Sequence, residues 1–106
     1  MKTKPENDTE LHDKINRETG RIEWSELERH FAQGNVIYVS EALDLIDVAM
    51  RISHDDKETI ARWMADGQVA KVSDLQAQTW SAADAFLWAA VVHPFILVQP
   101  EKKQLH

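Results

Sequence analysis

The chain contains no cysteine in 106 residues, which excludes disulfides, thiolate nucleophiles and cysteine-ligated zinc or iron–sulfur centres. Glycine and proline each occur only three times, and so few breakers favour helices over a many-turned β-sandwich. There is no Gly-rich phosphate loop, G-x-S-x-G elbow, H-E-x-x-H pair or EF-hand loop, and no cofactor is expected. No apolar run approaches the ~20 residues that a membrane-spanning helix needs. The opening M-K-T-K-P-E-N-D-T-E has no apolar segment of the secretory kind, so cytoplasmic residence is the expectation. Basic residues are also short: 12 Lys and Arg stand against 18 Asp and Glu, for a net charge of -6. Lys102 and Lys103 sit in the tail, and Arg17 and Arg21 are interleaved with Asp13, Glu18 and Glu23. With no basic patch, neither a nucleic acid nor a membrane is an expected partner.

What remains has the composition of one folded domain, with 43% hydrophobic and 28% charged residues. Four tryptophans imply a substantial core. The most apolar stretch is Trp88–Gln99, W-A-A-V-V-H-P-F-I-L-V-Q, and the rest of the chain reads as packing on it. Residues 1–8 are polar and read as a disordered tail, 9–99 as a single domain, and 100–106 as a frayed end.

Within the domain a helical pattern starts at Thr9, with Leu11, Ile15 and Ile22 on one face. Trp24, Leu27 and Phe31 then cluster on nearly the opposite side, with Gly20 at the changeover. The reading favoured is one continuous helix with a weak point, ending at Gly34. Val36–Val39 is β-branched and aromatic and predicts a buried strand. A second helix is expected from Ser40 to about Ser53. A third follows from Asp55, where Asp55 and Glu58 make a capping-box pattern, to Gly67, with Ile60, Trp63 and Met64 buried. Val69–Val72 is a candidate strand. Ser73 and Gln76 form another capping box, starting a helix able to run to Leu87. Trp88–Gln99 reads either as a strand from near Ala89, with a bulge or an edge at Pro94, or as a helix to Val92 followed by a short strand. The expected fold class is α+β, with about four helices packed on a small sheet of two or three short strands.

Chemistry-bearing residues are sparse. Glu23, Glu26 and His30 share a helix face by their spacing, and Glu26 with His30 could ligate a metal if a second element completed the site. His54-Asp55-Asp56 could serve acid–base work, but a helix start explains its acidic residues through capping. A small metal-binding protein or enzyme built on Glu26, His30, His54 and Asp55 is therefore the alternative, and it requires these residues to converge. Asp44, Asp47, Asp55, Asp56 and Glu58 form a candidate acidic interaction patch, against the plainer reading of a solvated face. The tryptophans and His93 read as core residues, although an exposed Trp would make an interface anchor.

Several separated segments resemble a known family: T-G-R-I-E-W-S-E-L at Thr19–Leu27, A-L-D-L at Ala42–Leu45, D-D at Asp55–Asp56, W-M-A-D-G-Q-V at Trp63–Val69, V-S-D-L-Q-A-Q-T-W at Val72–Trp80, and Trp88–Gln99 itself. Together they are similar to the bacterial domain of unknown function, family 2288, over about residues 10–99. Ser40-Glu41 and His93 depart from the family pattern. The resemblance implies a small bacterial protein and no activity or catalytic residue to carry over. It draws attention to Glu18, Arg21 and Glu26 in the first matching segment as a candidate buried or interfacial ion network. The function expected is a non-enzymatic protein-interaction or regulatory module, able to self-associate, with a strand edge, an exposed Trp or the acidic helices as contact.

Overall fold

Eleven regular elements among the described residues build one mixed sheet with helices on both of its faces. In a computed structural model, residues 8–101 are described. The segments read as tails lie outside these residues apart from their inner ends, since Asp8 opens the first helix and Pro100 closes the last strand. In chain order the elements are α1 (Asp8–Arg17), β1 (Gly20–Glu23), a 3-10 turn (Trp24–Leu27), α2 (Glu28–Ala32), β2 (Val36–Val39), α3 (Leu45–Ser53), α4 (Lys57–Ala65), β3 (Val69–Lys71), α5 (Asp74–Ala82), β4 (Phe86–Val92) and β5 (Phe95–Pro100).

The five strands lie in the order β1-β4-β5-β2-β3. Only β2 and β5 run parallel; the other pairs are antiparallel. Alternation along each strand divides the side chains between two cores. On one face Val39, Val69, Ala90 and Leu97 meet Ile15 of α1 and Leu45, Val48 and Ala49 of α3, with Trp63 of α4 packed alongside. On the other face Val36, Leu87, Ala89 and Val98 meet Trp24, Leu27 and Ala77, with Phe31 and Trp80 alongside. Trp24 is 2% exposed and holds that second layer together through ring contacts to Phe31 at 5.5 Å and Trp80 at 5.3 Å.

The α+β class and the single domain hold, but the sheet has five strands where two or three were expected. The continuous helix across Gly20 is replaced by α1, β1 and the 3-10 turn. The apolar stripe changes side at Gly20 because the chain leaves the α1 layer, enters the sheet, and emerges on the opposite face. The second helix starts at Leu45, not Ser40, because Asp44 accepts from the Ile46 and Asp47 N–H groups. Asp56, not Asp55, caps α4 through the Thr59 N–H, and Asp55 adopts a positive φ of 57° in the turn before it. The Ser73–Gln76 capping box is present in both directions, but α5 ends at Ala82, short of Leu87. Trp88–Gln99 is neither one bulged strand nor a helix followed by a strand. Its halves pair as a hairpin, Val92 opposite Phe95, with His93-Pro94 as the two-residue turn. His93 is accordingly exposed, not a core histidine. Met64 is 55% exposed, while Ile60 and Trp63 are half-buried.

Candidate functional site

The helices of the first face stop short of one end of the sheet. Leu87 and Ala89 of β4 point into the second core, so Phe86 and Trp88 point to the first face. There they remain 42% and 41% exposed. β1 pairs Arg21 opposite Trp88 and Glu23 opposite Phe86, which places Arg21 and Glu23 on that same face. The Arg21 guanidinium lies 4.7 Å from the centre of the Phe86 ring and donates through Nε and Nη2 to the Glu101 carboxylate, the Nη2–Oε1 distance being 3.3 Å. Beside Trp88 an open groove of about 350 Å³ is lined by Asn16 of α1, Thr19 just after it, Leu43 and Asp44 from the segment before α3, Leu45 and Ile46 of α3, and Gln99. The Gln99 Nε2 donates to the Ser40 and Leu43 carbonyls at 2.9 and 2.7 Å, tying that segment to β5. These groups offer aromatic surface, an amide and a masked guanidinium. They are suited to contact and contain no nucleophile paired with a base.

The structure does not bring Glu18, Arg21 and Glu26 together. Arg21 is on a strand, Glu18 is exposed after α1, and Glu26 is exposed in the 3-10 turn. Arg21 takes Glu101 as its partner, at side-chain exposures of 51% and 35%. The break in the helix separates what helical spacing had grouped.

The five acidic residues of the candidate patch, around α3 and α4, divide by role. Asp44 and Asp56 are helix caps. Asp47 and Asp56 both face Arg51, at 3.5 and 2.9 Å, and Asp55 lies 3.9 Å from Lys57. Glu58 is exposed in the first turn of α4, where the helix dipole favours it. The Arg51 hydrogen bond, with those of the Thr59 hydroxyl and N–H, holds the Asp56 carboxyl below the usual carboxylate range. The same hydrogen bond and the Asp47 charge push the Arg51 guanidinium up. Two cations thus answer a large part of the patch.

Glu26 and His30 lie in the 3-10 turn and α2, which pack on the second face of the sheet, whereas His54 and Asp55 follow α3 on the first. The sheet stands between them. No cluster of three or more His, Cys, Asp or Glu residues suited to a metal ion occurs among the described residues. Among them, too, no helix is long and apolar enough to cross a membrane.

Phe86, Gln99 and Glu101 went unmarked by the sequence. F-L-W-A at Phe86–Ala89 is apolar at every position, so no polar alternation betrays which side chains lie uncovered. Trp88 is the one tryptophan more than a third exposed.

A five-stranded mixed sheet covered by helices on both faces defines the class, a small α+β domain. Residues 10–100 match the family described as "Protein of unknown function (DUF2288)", and the chain belongs to that family. It is also similar to PA1075 from Pseudomonas aeruginosa, whose solution structure was determined by NMR: the two are 37% identical, 100% of each chain is covered, and the TM-score is 0.78. The comparison with curated proteins found no match.

Proposed function

We propose that this protein is a small bacterial, cytoplasmic, non-enzymatic protein-interaction module whose contact surface is the β1–β4 end of the sheet. The observation that carries this reading is the pair Phe86 and Trp88, successive residues on one face of β4, each about two-fifths exposed. Aromatic side chains bring a large apolar area at low entropic cost, and Trp is enriched at the centres of interfaces. Arg21, its guanidinium over the Phe86 ring, adds a rim charge, and β1 beside it is an edge strand with no further strand paired to it among the described residues, a common template for recognition by strand addition. The excess of acidic residues favours a protein partner over a nucleic acid. The placement of Glu26 and His30 across the sheet from His54 and Asp55 lends no support to a metal or catalytic centre on those residues.

Affinity purification from the native cell tests the reading. Proteins retained by the wild-type chain should be lost with Phe86→Ser and Trp88→Ser and kept with Leu75→Ser, a change at another exposed apolar side chain. Capture that survives both changes at the β1–β4 end contradicts it.

A further inference from the structure

One hydrogen bond just past β1 fixes which of its backbone groups face outward. The Trp24 N–H donates to the Ala85 carbonyl at 2.9 Å, so Trp24 continues the antiparallel register of Glu23 opposite Phe86 at a position that faces β4. Hydrogen-bonded and non-hydrogen-bonded positions alternate along such a pair. Ile22 and Gly20 therefore also face β4, and the N–H and C=O groups of Arg21 and Glu23 point away along the free edge. The chain enters β1 from α1, which packs on the first face, and leaves into the 3-10 turn, which packs on the second. Neither element continues the plane of the sheet beyond that edge.

We propose that the occupant of this edge is a second copy of the same chain, its β1 pairing antiparallel to this one with Ile22 on the twofold axis. The inference rests on the reading of the β1–β4 end as a contact surface and names its partner. In this register Arg21 stands opposite the Glu23 of the other copy, and Glu23 opposite its Arg21. These are the two residues with outward backbone groups, so the ladder bonds form at both positions, and each also sets opposite charges face to face. Ile22 meets its own copy at the closely spaced position between them, on the face where it already packs with Trp24 and Leu87. A slip of two residues in one direction opposes Arg21 to Arg21, and in the other Glu23 to Glu23. Like charges directly opposite destabilise a pair. A slip of one residue sets outward-facing groups against inward-facing ones. The edge is thus self-complementary in a single register, which is the requirement of an isologous twofold interface. Arg21, half exposed and turned over Phe86 to Glu101 in the single chain, swings back toward the seam to meet the Glu23 carboxylate of the other copy, and the Phe86 and Trp88 of each copy lie one strand from the seam.

Sedimentation equilibrium of the full chain over a wide concentration range reads this out. The wild-type protein should show a concentration-dependent dimer of twice 12.2 kDa. Arg21→Glu and Glu23→Arg should each raise the dissociation constant at least about tenfold by creating two like-charge pairs, and the double swap R21E/E23R should bring it back to within about threefold of wild type. Glu23→Pro removes an outward N–H from a residue whose φ of -72° and ψ of 142° already suit proline. It should abolish the dimer and leave the circular dichroism spectrum unchanged. If that variant fails to fold, the charge swap alone decides. A wild-type chain that stays monomeric at every concentration overturns the edge pairing. So does a dimer that persists in folded Glu23→Pro, or a double swap no tighter than the single variants. A monomer that still captures a protein in a Trp88-dependent way overturns this pairing and leaves the interaction reading standing. Loss of the Trp88 dependence alone, with the dimer and its charge swap intact, removes that reading's aromatic anchor and supports the edge.

Discussion

Arg21 crosses β4 to reach Glu101, its guanidinium resting over the Phe86 ring on the way. An ion pair between half-exposed side chains contributes up to about 1 kcal/mol, and the contact with the ring about 0.5–1 kcal/mol. Arg21→Ala should therefore lower unfolding stability by about 0.5–1.5 kcal/mol, well short of the ~3–5 kcal/mol of a severed buried ion pair. Urea denaturation of the two proteins checks this, and a loss near the upper figure would mean that Arg21 is buried in solution.

Trp24 and Trp88 should respond in opposite ways to truncation. Trp24 is enclosed by Phe31 and Trp80, and Trp24→Ala should cost about 3–5 kcal/mol, the usual range for emptying a large aromatic site. Trp88→Ala should cost about 1 kcal/mol or less in the isolated protein. Fluorescence separates the two independently: acrylamide should quench a red-shifted component that disappears in Trp88→Phe and persists in Trp80→Phe.

These contrasts show how much of the molecule could be read from the chain. Ser73 and Gln76 announced α5 because a capping box is a local signal, complete within four residues. β1 carried no such mark. An edge strand with one uncovered face needs only one inward apolar residue, Ile22, and its neighbours Arg21 and Glu23 look like helix surface. The start of β4 was hidden for a different reason. Ala89 and Ala90 are small because helices crowd both faces of this strand, and alanine's local preference is helical. Tertiary packing overrides it. The candidate contact surface was legible only as a type of residue, an exposed Trp, because exposure of Trp88 follows from where the covering helices stop.

Gln99 anchors the segment before α3 through two carbonyls. Gln99→Leu takes this donor from the Leu43 carbonyl and leaves the Ser40 carbonyl with the Leu43 N–H, and the loss should be about 1–2 kcal/mol, since the half-buried segment regains water at part of that cost. Faster amide exchange confined to residues 40–44, alongside the drop in denaturation midpoint, would locate the effect. An unchanged midpoint would show that the tether is dispensable.

Asp56 is ionised more readily in the folded protein than in the unfolded chain, because Arg51 and the Thr59 hydroxyl and N–H stabilise its carboxylate. A folded value below the unfolded one gives stability that is fully present above the ordinary carboxylate value of ~3.9 and is lost as pH falls through the lower folded value. Asp56→Asn retains a good helix cap but has no charge to titrate. Its melting temperature should fall less steeply than that of the wild type on acidification below about pH 4. Parallel acid limbs for the two proteins would refute the Arg51–Asp56 coupling.

Hydrogen exchange at the amides of Arg21, Ile22 and Glu23, followed as the full chain is diluted, tests the β1 edge as a contact surface most directly. The Ile22 amide faces β4 and should be protected at every concentration. Those of Arg21 and Glu23 should be protected in concentrated protein and exchange rapidly on dilution. Rapid exchange of Arg21 and Glu23 at all concentrations would contradict the pairing of this edge.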